Sequence, residues 1–318
     1  MSRTASTLPH HVALAVTQVC FGLFPLIGKI AFNGGFTPGA VAIWRIASGA
    51  VVLGIIACML HGKRAIPPRR AVLRIQIASL LGIALNQLCF LEGLKRAPIA
   101  NAGLMIGLIP ALTYGVALIA RQERMHKGRV MGIAIGILAI GQLLVQEGGT
   151  HLLGDLLLLS NMLAYSVYLV VSRPLAKEYP PIATAAWMFL FSTWTLPLLA
   201  WDADVAPIEA PAAAWWALGF VIVFPTSLGY LLNLYAMTRL TASTAAVYTF
   251  SQPAIVIFTG VMRGDPITPA NSIAAIGVFA AMWLVLRGRP TPGAPGSSGR
   301  PGSPATPSDE QTGSNPRT

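Results

Sequence analysis

An arginine stands about seven residues into an apolar run, in PGAVAIWRIASGAVVLGIIACML, and no other basic residue lies so deep in one. A guanidinium at such depth is costly, so Arg45 must face a protein interior or a water-filled cavity. Two chemistries suit it: paired hydrogen bonding to the carboxylate of a small solute, or an ion pair with Glu92, for which Lys29 would compete. Neutral polar groups share the apolar stretches, among them Gln18, Asn86, Gln87, Asn101, Asn161, Asn233, Ser251 and Gln252. Such groups turn inward, to bond between helices or to meet a ligand. Trp44, Tyr114, Tyr165, Tyr168, Trp187, Tyr230, Tyr235 and Tyr248 supply possible cavity walls, whereas Trp201, Trp215 and Trp216 suit an interfacial belt. Arg45, Gln18, Trp44, Asn86, Asn161, Tyr165, Trp187, Tyr230, Tyr248 and Gln252 are the expected solute-binding or transport-path residues, with Glu92 and Lys29 as the coupling or ion-pair set.

What is missing narrows the chemistry further. His10, His11, His61, His126 and His151 lie outside or at the ends of the apolar runs, and no HExxH, phosphate-binding loop or serine-nucleophile elbow occurs. No catalytic set, cofactor or metal site is expected; a membrane-embedded lipid-modifying enzyme is the alternative of another class. Cys20, Cys58 and Cys89 lack ligand spacing and read as buried small hydrophobes.

The elements that would position these groups are transmembrane helices. With 54% hydrophobic and 10% charged residues among 318, the chain is far more apolar than a soluble domain, which carries about 25% charged residues. Ten candidate spans follow from the hydropathy windows, at 12–32, 38–60, 72–94, 98–120, 128–146, 153–172, 182–201, 213–235, 243–262 and 268–287. The net charge of +11 sits in short loops rather than in a basic face, so it argues for membrane topology and against nucleic acid. Lys63, Arg64, Arg69, Arg70 and Arg74 in one loop, and Arg121, Arg124, Lys127 and Arg129 in another, place both loops and both termini in the cytoplasm. The acidic loop with Asp202, Asp204 and Glu209 then lies outside.

The chain also repeats itself. A shift of 143 residues carries Pro38 onto Pro181, Trp44 onto Trp187, Arg96 onto Arg239 and Pro110 onto Pro253, without a gap. Two copies at 12–146 and 153–287 follow a cytoplasmic N-terminus at 1–11 and precede a Pro-, Gly- and Ser-rich tail at 288–318, expected to be disordered. Five spans per copy make the second copy enter the membrane inverted. Inverted repeats place a site near the midplane, between halves, and supply two facing states of similar energy. The expected fold is an all-α integral membrane protein of ten helices in two inverted five-helix repeats.

The pattern NQLCFLEGLKRAPIANAGLMIGLIPALTYGVALIARQE and its echo YLLNLYAMTRLTASTAAVYTFSQPAIVIFTGVMRGD, with Lys29 ending the first span and Arg45 early in the second, resemble the EamA-type members of the drug/metabolite transporter superfamily. The likeness covers roughly residues 11 to 287. It implies a fourth span with a proline and a terminal glutamate followed by a basic residue, here Pro110, Glu123 and Arg124; the second copy matches Pro253 but has Asp265 and Pro266 at the end. Pro110 and Pro253 are the expected helix kinks. The implied function is export of a small metabolite, an amino acid or derivative, across the inner membrane by alternating access, with import on the same fold as the alternative. The implied partners are the small-molecule substrate and the lipid bilayer, with a second copy in a homodimer as a further candidate.

Overall fold

The protein is described by a computed structural model, covering residues 7–123, 125–146, 151–200, 204–262 and 269–287. Every regular element among the described residues is helical. In chain order they are α1 (Leu8–Asn33), α2 (Pro38–His61), α3 (Arg69–Arg96), α4 (Ile99–Ile119), α5 (Lys127–Gln146), α6 (Leu152–Glu178), α7 (Pro181–Ala200), α8 (Ala212–Met237), α9 (Ala242–Tyr248), α10 (Ser251–Met262) and α11 (Pro269–Arg287). Among the described residues seven of these, α1 to α4 and α6 to α8, are long and apolar enough to cross a membrane. Three of the ten expected spans fall on the others: α5, the pair α9 and α10, and α11.

Local chemistry sets several of the ends. Thr37 caps α2 by accepting from the Ala40 amide at 3.1 Å, and Thr241 caps α9 through the Thr244 amide at 3.0 Å. Pro38 and Pro181 occupy the first turn of α2 and α7, where a missing N–H costs nothing. Pro110 and Pro253 do not bend continuous helices. Each stands in the first turn of a fresh segment, Pro110 after a break at Gly107 in α4 and Pro253 after the gap between α9 and α10.

The 143-residue shift holds for structure as well as sequence. It carries the break in α4 onto the gap between α9 and α10. It also carries a π segment of α3, Leu80–Ala84, to 223–227, inside the π segment of α8, Ile222–Leu228. Helix packing is paired in the same way: α1 packs on α8 as α6 packs on α3, α1 on α10 as α6 on α4, and α2 on α8 as α7 on α3, while α2 with α7 and α5 with α11 are partners of their own counterparts. Trp44 donates its indole N–H to Val205 O at 2.8 Å in the loop before α8, and its counterpart Trp187 donates to Ala65 O at 2.6 Å in the loop before α3.

Large apolar side chains on the outside, such as Ile119 at 85% exposure and Met59 at 80%, would be a liability in water and are what a lipid-facing surface needs. Cys58 belongs to that surface, which corrects the expectation that all three cysteines are buried; Cys20 and Cys89 are. Inside, small residues let helices approach: Gly49 lies against the Phe189 ring, Gly82 against the Tyr168 ring, and Gly154 against the backbone at Arg96 and Ala97. A methyl group at Gly154 would sit 2.9 Å from the Ala97 nitrogen, an atom of rigid backbone. Gly154→Ala is therefore expected to destabilise the detergent-solubilised protein by about 1–3 kcal/mol. Gly54→Ala, in α2 with nothing within 4 Å of the added methyl, should be neutral or stabilising by up to about 1 kcal/mol. Thermal unfolding midpoints of the two variants check the pair; equal shifts would contradict the packing described.

Candidate functional site

Arg45 lies in the first third of α2 and is only 3% exposed. Its Nε donates to Thr226 Oγ1 at 2.7 Å, and its guanidinium stacks 4.2 Å from the centroid of the Phe24 ring. The Thr226 hydroxyl in turn donates to Val221 O at 2.7 Å, five residues back. That spacing is the one a π segment opens, because its wider turn releases carbonyls from the ordinary ladder. The local winding of α8 thus aims a hydroxyl at the arginine.

The expected ion pair with Glu92 is not formed. Glu92 pairs with Arg96, one turn further along α3, and Lys29 Nζ donates to Ala97 O at 3.2 Å. A glutamate and an arginine four apart on one helix meet without strain, whereas Arg45 sits on another helix. Among the described residues no carboxylate lies within ion-pair distance of Arg45, and neither terminal nitrogen finds a protein acceptor.

Arg45 lines a cavity of about 60 Å³ together with Phe21, Phe24, Asn86, Phe90, Ile106, Ile109, Asn161, Met162, Tyr165, Tyr230 and Gln252. The space is large enough for a few water molecules, each needing roughly 10–15 Å³. Its polar walls are fixed across helices. Asn161 Nδ2 donates to Asn86 O at 2.8 Å and Asn86 Nδ2 to Asn161 O at 3.5 Å, joining α3 to α6. Tyr230 donates to Gly82 O, in the π segment of α3, and Tyr165 Oη accepts from Asn233 Nδ2 at 2.5 Å. Gln252 Nε2 donates to Gln18 Oε1, so Gln18 is buried behind the wall rather than in it. Phe21 meets Tyr165 and Tyr230 edge-on, holding both rings.

Six of the expected path residues therefore converge: Arg45, Asn86, Asn161, Tyr165, Tyr230 and Gln252. Three do not. Trp44 and Trp187 tie loops at opposite ends of the bundle, and the Tyr248 hydroxyl meets His11 Nδ1 at 2.7 Å near the start of α1. Ser251 is exposed. Thr226, Phe21, Phe24 and Phe90 were not singled out by sequence. Phenylalanines in apolar runs carry no signal of their own, but a threonine directly after Pro225 in FPTSLGY marks a place where a helix must rewind.

At the other end of α4, Glu123 Oε2 accepts from Arg129 at 2.7 Å and Oε1 from Ser243 of α9, and Arg129 lies 5.0 Å over the Tyr114 ring. This network ties the first copy to the start of the second copy's fourth segment. Arg124, Trp201, Asp265 and Pro266 lie outside the described residues.

Two stretches, residues 10–145 and 152–287, each match the EamA-like transporter family. The chain is 25% identical over 252 residues to an uncharacterized transporter, YyaM, of Bacillus subtilis, covering 76% of this chain and 82% of that protein. It is 26% identical over 251 residues to a probable terminal-alkyne amino-acid exporter of Streptantibioticus cattleyicolor, covering 77% and 82%. Protein WALLS ARE THIN 1 of Arabidopsis thaliana is 21% identical over 326 residues, covering 88% and 82%. One crystal structure superposes with a TM-score of 0.65 at 21% identity, over 90% of this chain and 98% of its own, which establishes a shared fold. With two copies of the domain spanning most of its length, the chain belongs to the EamA-like transporter family and is a multi-pass membrane transporter.

Proposed function

We propose that this protein is a secondary transporter of the cell inner membrane that exports a small carboxylate-bearing metabolite, an amino acid or derivative, by alternating access. The observation that carries the reading is Arg45: a buried guanidinium, fixed at Nε and over a ring, in the wall of a cavity that no carboxylate lines among the described residues. Two parallel N–H donors on a planar cation match a carboxylate in a bidentate geometry. Export rather than import is supported by the relative named as an amino-acid exporter.

Ten spans in two inverted halves are the architecture we infer. The mirrored helix pairings and the two repeat-related π segments support it, as does the placing of Trp44 and Trp187 on loops of the opposite half. Alternating access would admit the solute to this cavity when the halves part. Both termini are cytoplasmic on this reading, and a homodimer within the bilayer is compatible with the exposed apolar faces.

Comparing extracellular metabolites of cells with and without the protein identifies the solute, and labelled efflux of that solute then tests the site. Arg45→Gln should reach the membrane and lose carboxylate efflux roughly 10- to 100-fold, the worth of hydrogen bonds to a charged group. Thr226→Val should lose several-fold and Thr226→Ser little. Glu92→Gln should not rescue Arg45→Gln, since the two are not partners; recovery in the double variant would sink the assignment. Single cysteines placed at 63–70 should be shielded from impermeant thiol reagents in intact cells, and cysteines at 204–209 should react. The reverse pattern would overturn the orientation.

A further inference from the structure

The charge inventory of the cavity bears on which carboxylates fit. Arg45 is the one charged side chain among its described lining residues; the others are amides, tyrosines, phenylalanines and aliphatic groups. The carboxylates elsewhere in the described bundle are already engaged: Glu92 with Arg96, Glu123 with Arg129, Glu178 with Arg74, and Asp155, 1% exposed, with Asn101 Nδ2 at 3.1 Å. None of them borders the cavity.

A solute therefore enters a site of charge +1. A monocarboxylate brings the total to zero. A zwitterion binds its carboxylate to the arginine but leaves the total at +1, with an ammonium close to a guanidinium and no anion to offset it. A dicarboxylate leaves −1. The amide oxygens of Asn86, Asn161 and Gln252 accept from an N–H or O–H, which serves a neutral donor fully but cannot neutralise an ammonium. Within a low-dielectric bundle that difference weighs more than it does in water.

We propose that the site selects monoanionic carboxylates whose remaining polar groups are neutral, such as N-acylated amino acids or hydroxy acids with an apolar body, over free zwitterionic amino acids. The inference rests on the reading of Arg45 as the carboxylate partner and narrows it. It revises the amino-acid half of the expectation while keeping the derivative half.

The test is efflux from proteoliposomes preloaded with N-acetyl-L-alanine, L-alanine or N-acetyl-L-alanine amide, read above protein-free vesicles. The expected result is release of N-acetyl-L-alanine at least tenfold faster than of the other two, with the advantage lost in Arg45→Gln. Arg45→Lys, which keeps the charge, should retain part of it and guards against a variant that merely fails to fold. Release of alanine as fast as its N-acetyl form, still abolished by Arg45→Gln, would overturn the charge selection and leave Arg45 as carboxylate partner. Release of all three unaltered by Arg45→Gln would remove that assignment and the inference with it. No release of N-acetyl-L-alanine above protein-free vesicles would also overturn the inference.

Discussion

A single buried cation organises the middle of this protein. Arg45 is out of water, and an unpaired charge in that position costs several kcal/mol even after local relaxation. What offsets part of that cost is visible: one hydrogen bond to Thr226, the face of Phe24, and a cavity with amide and phenol groups in its wall. None of these neutralises the charge. The guanidinium keeps hydrogen-bonding capacity that no described residue of the protein uses.

The π segments explain how a helical bundle builds such a place. An α-helix uses its own carbonyls, so a regular α3 and α8 would offer the cavity only side chains. The wider turns at Leu80–Ala84 and Ile222–Leu228 let Gly82 O take the Tyr230 hydroxyl and Val221 O take the Thr226 hydroxyl. Both groups reached in this way line the cavity or hold its arginine. The devices are repeat-related but their chemistry is not: the position 143 residues after Arg45 is Met188, so one half supplies the charge and the other orients it. The two copies share a frame, and their differences make the candidate site asymmetric.

Much of this was legible in the sequence. Apolar runs of membrane-spanning length fixed the class, and the ungapped shift located the paired helices, because a repeat that must pack against its own copy keeps its spacing. The depth of Arg45 pointed to a buried position, and the residue lines the candidate cavity. Partner choice was not legible. Glu92 looked available by depth, but depth along a helix says nothing about which face a side chain takes, and Arg96 one turn away claims it. Trp44 and Trp187 illustrate the same gap, for both lie well within their helices yet reach along them to loop carbonyls. The π segments leave no periodic signature; Pro225 marks one of them, but that Thr226 meets Arg45 emerged only from the fold.

The central claim is that the terminal nitrogens of Arg45 receive a carboxylate. Guanidinium nitrogen resonances of the purified protein, with Arg45 assigned from the signal missing in Arg45→Gln, address it directly. Titration with acetate should shift the Arg45 terminal signals saturably, and acetamide should leave them in place. An Arg45 signal indifferent to acetate, or one that moves equally with both, would contradict the account.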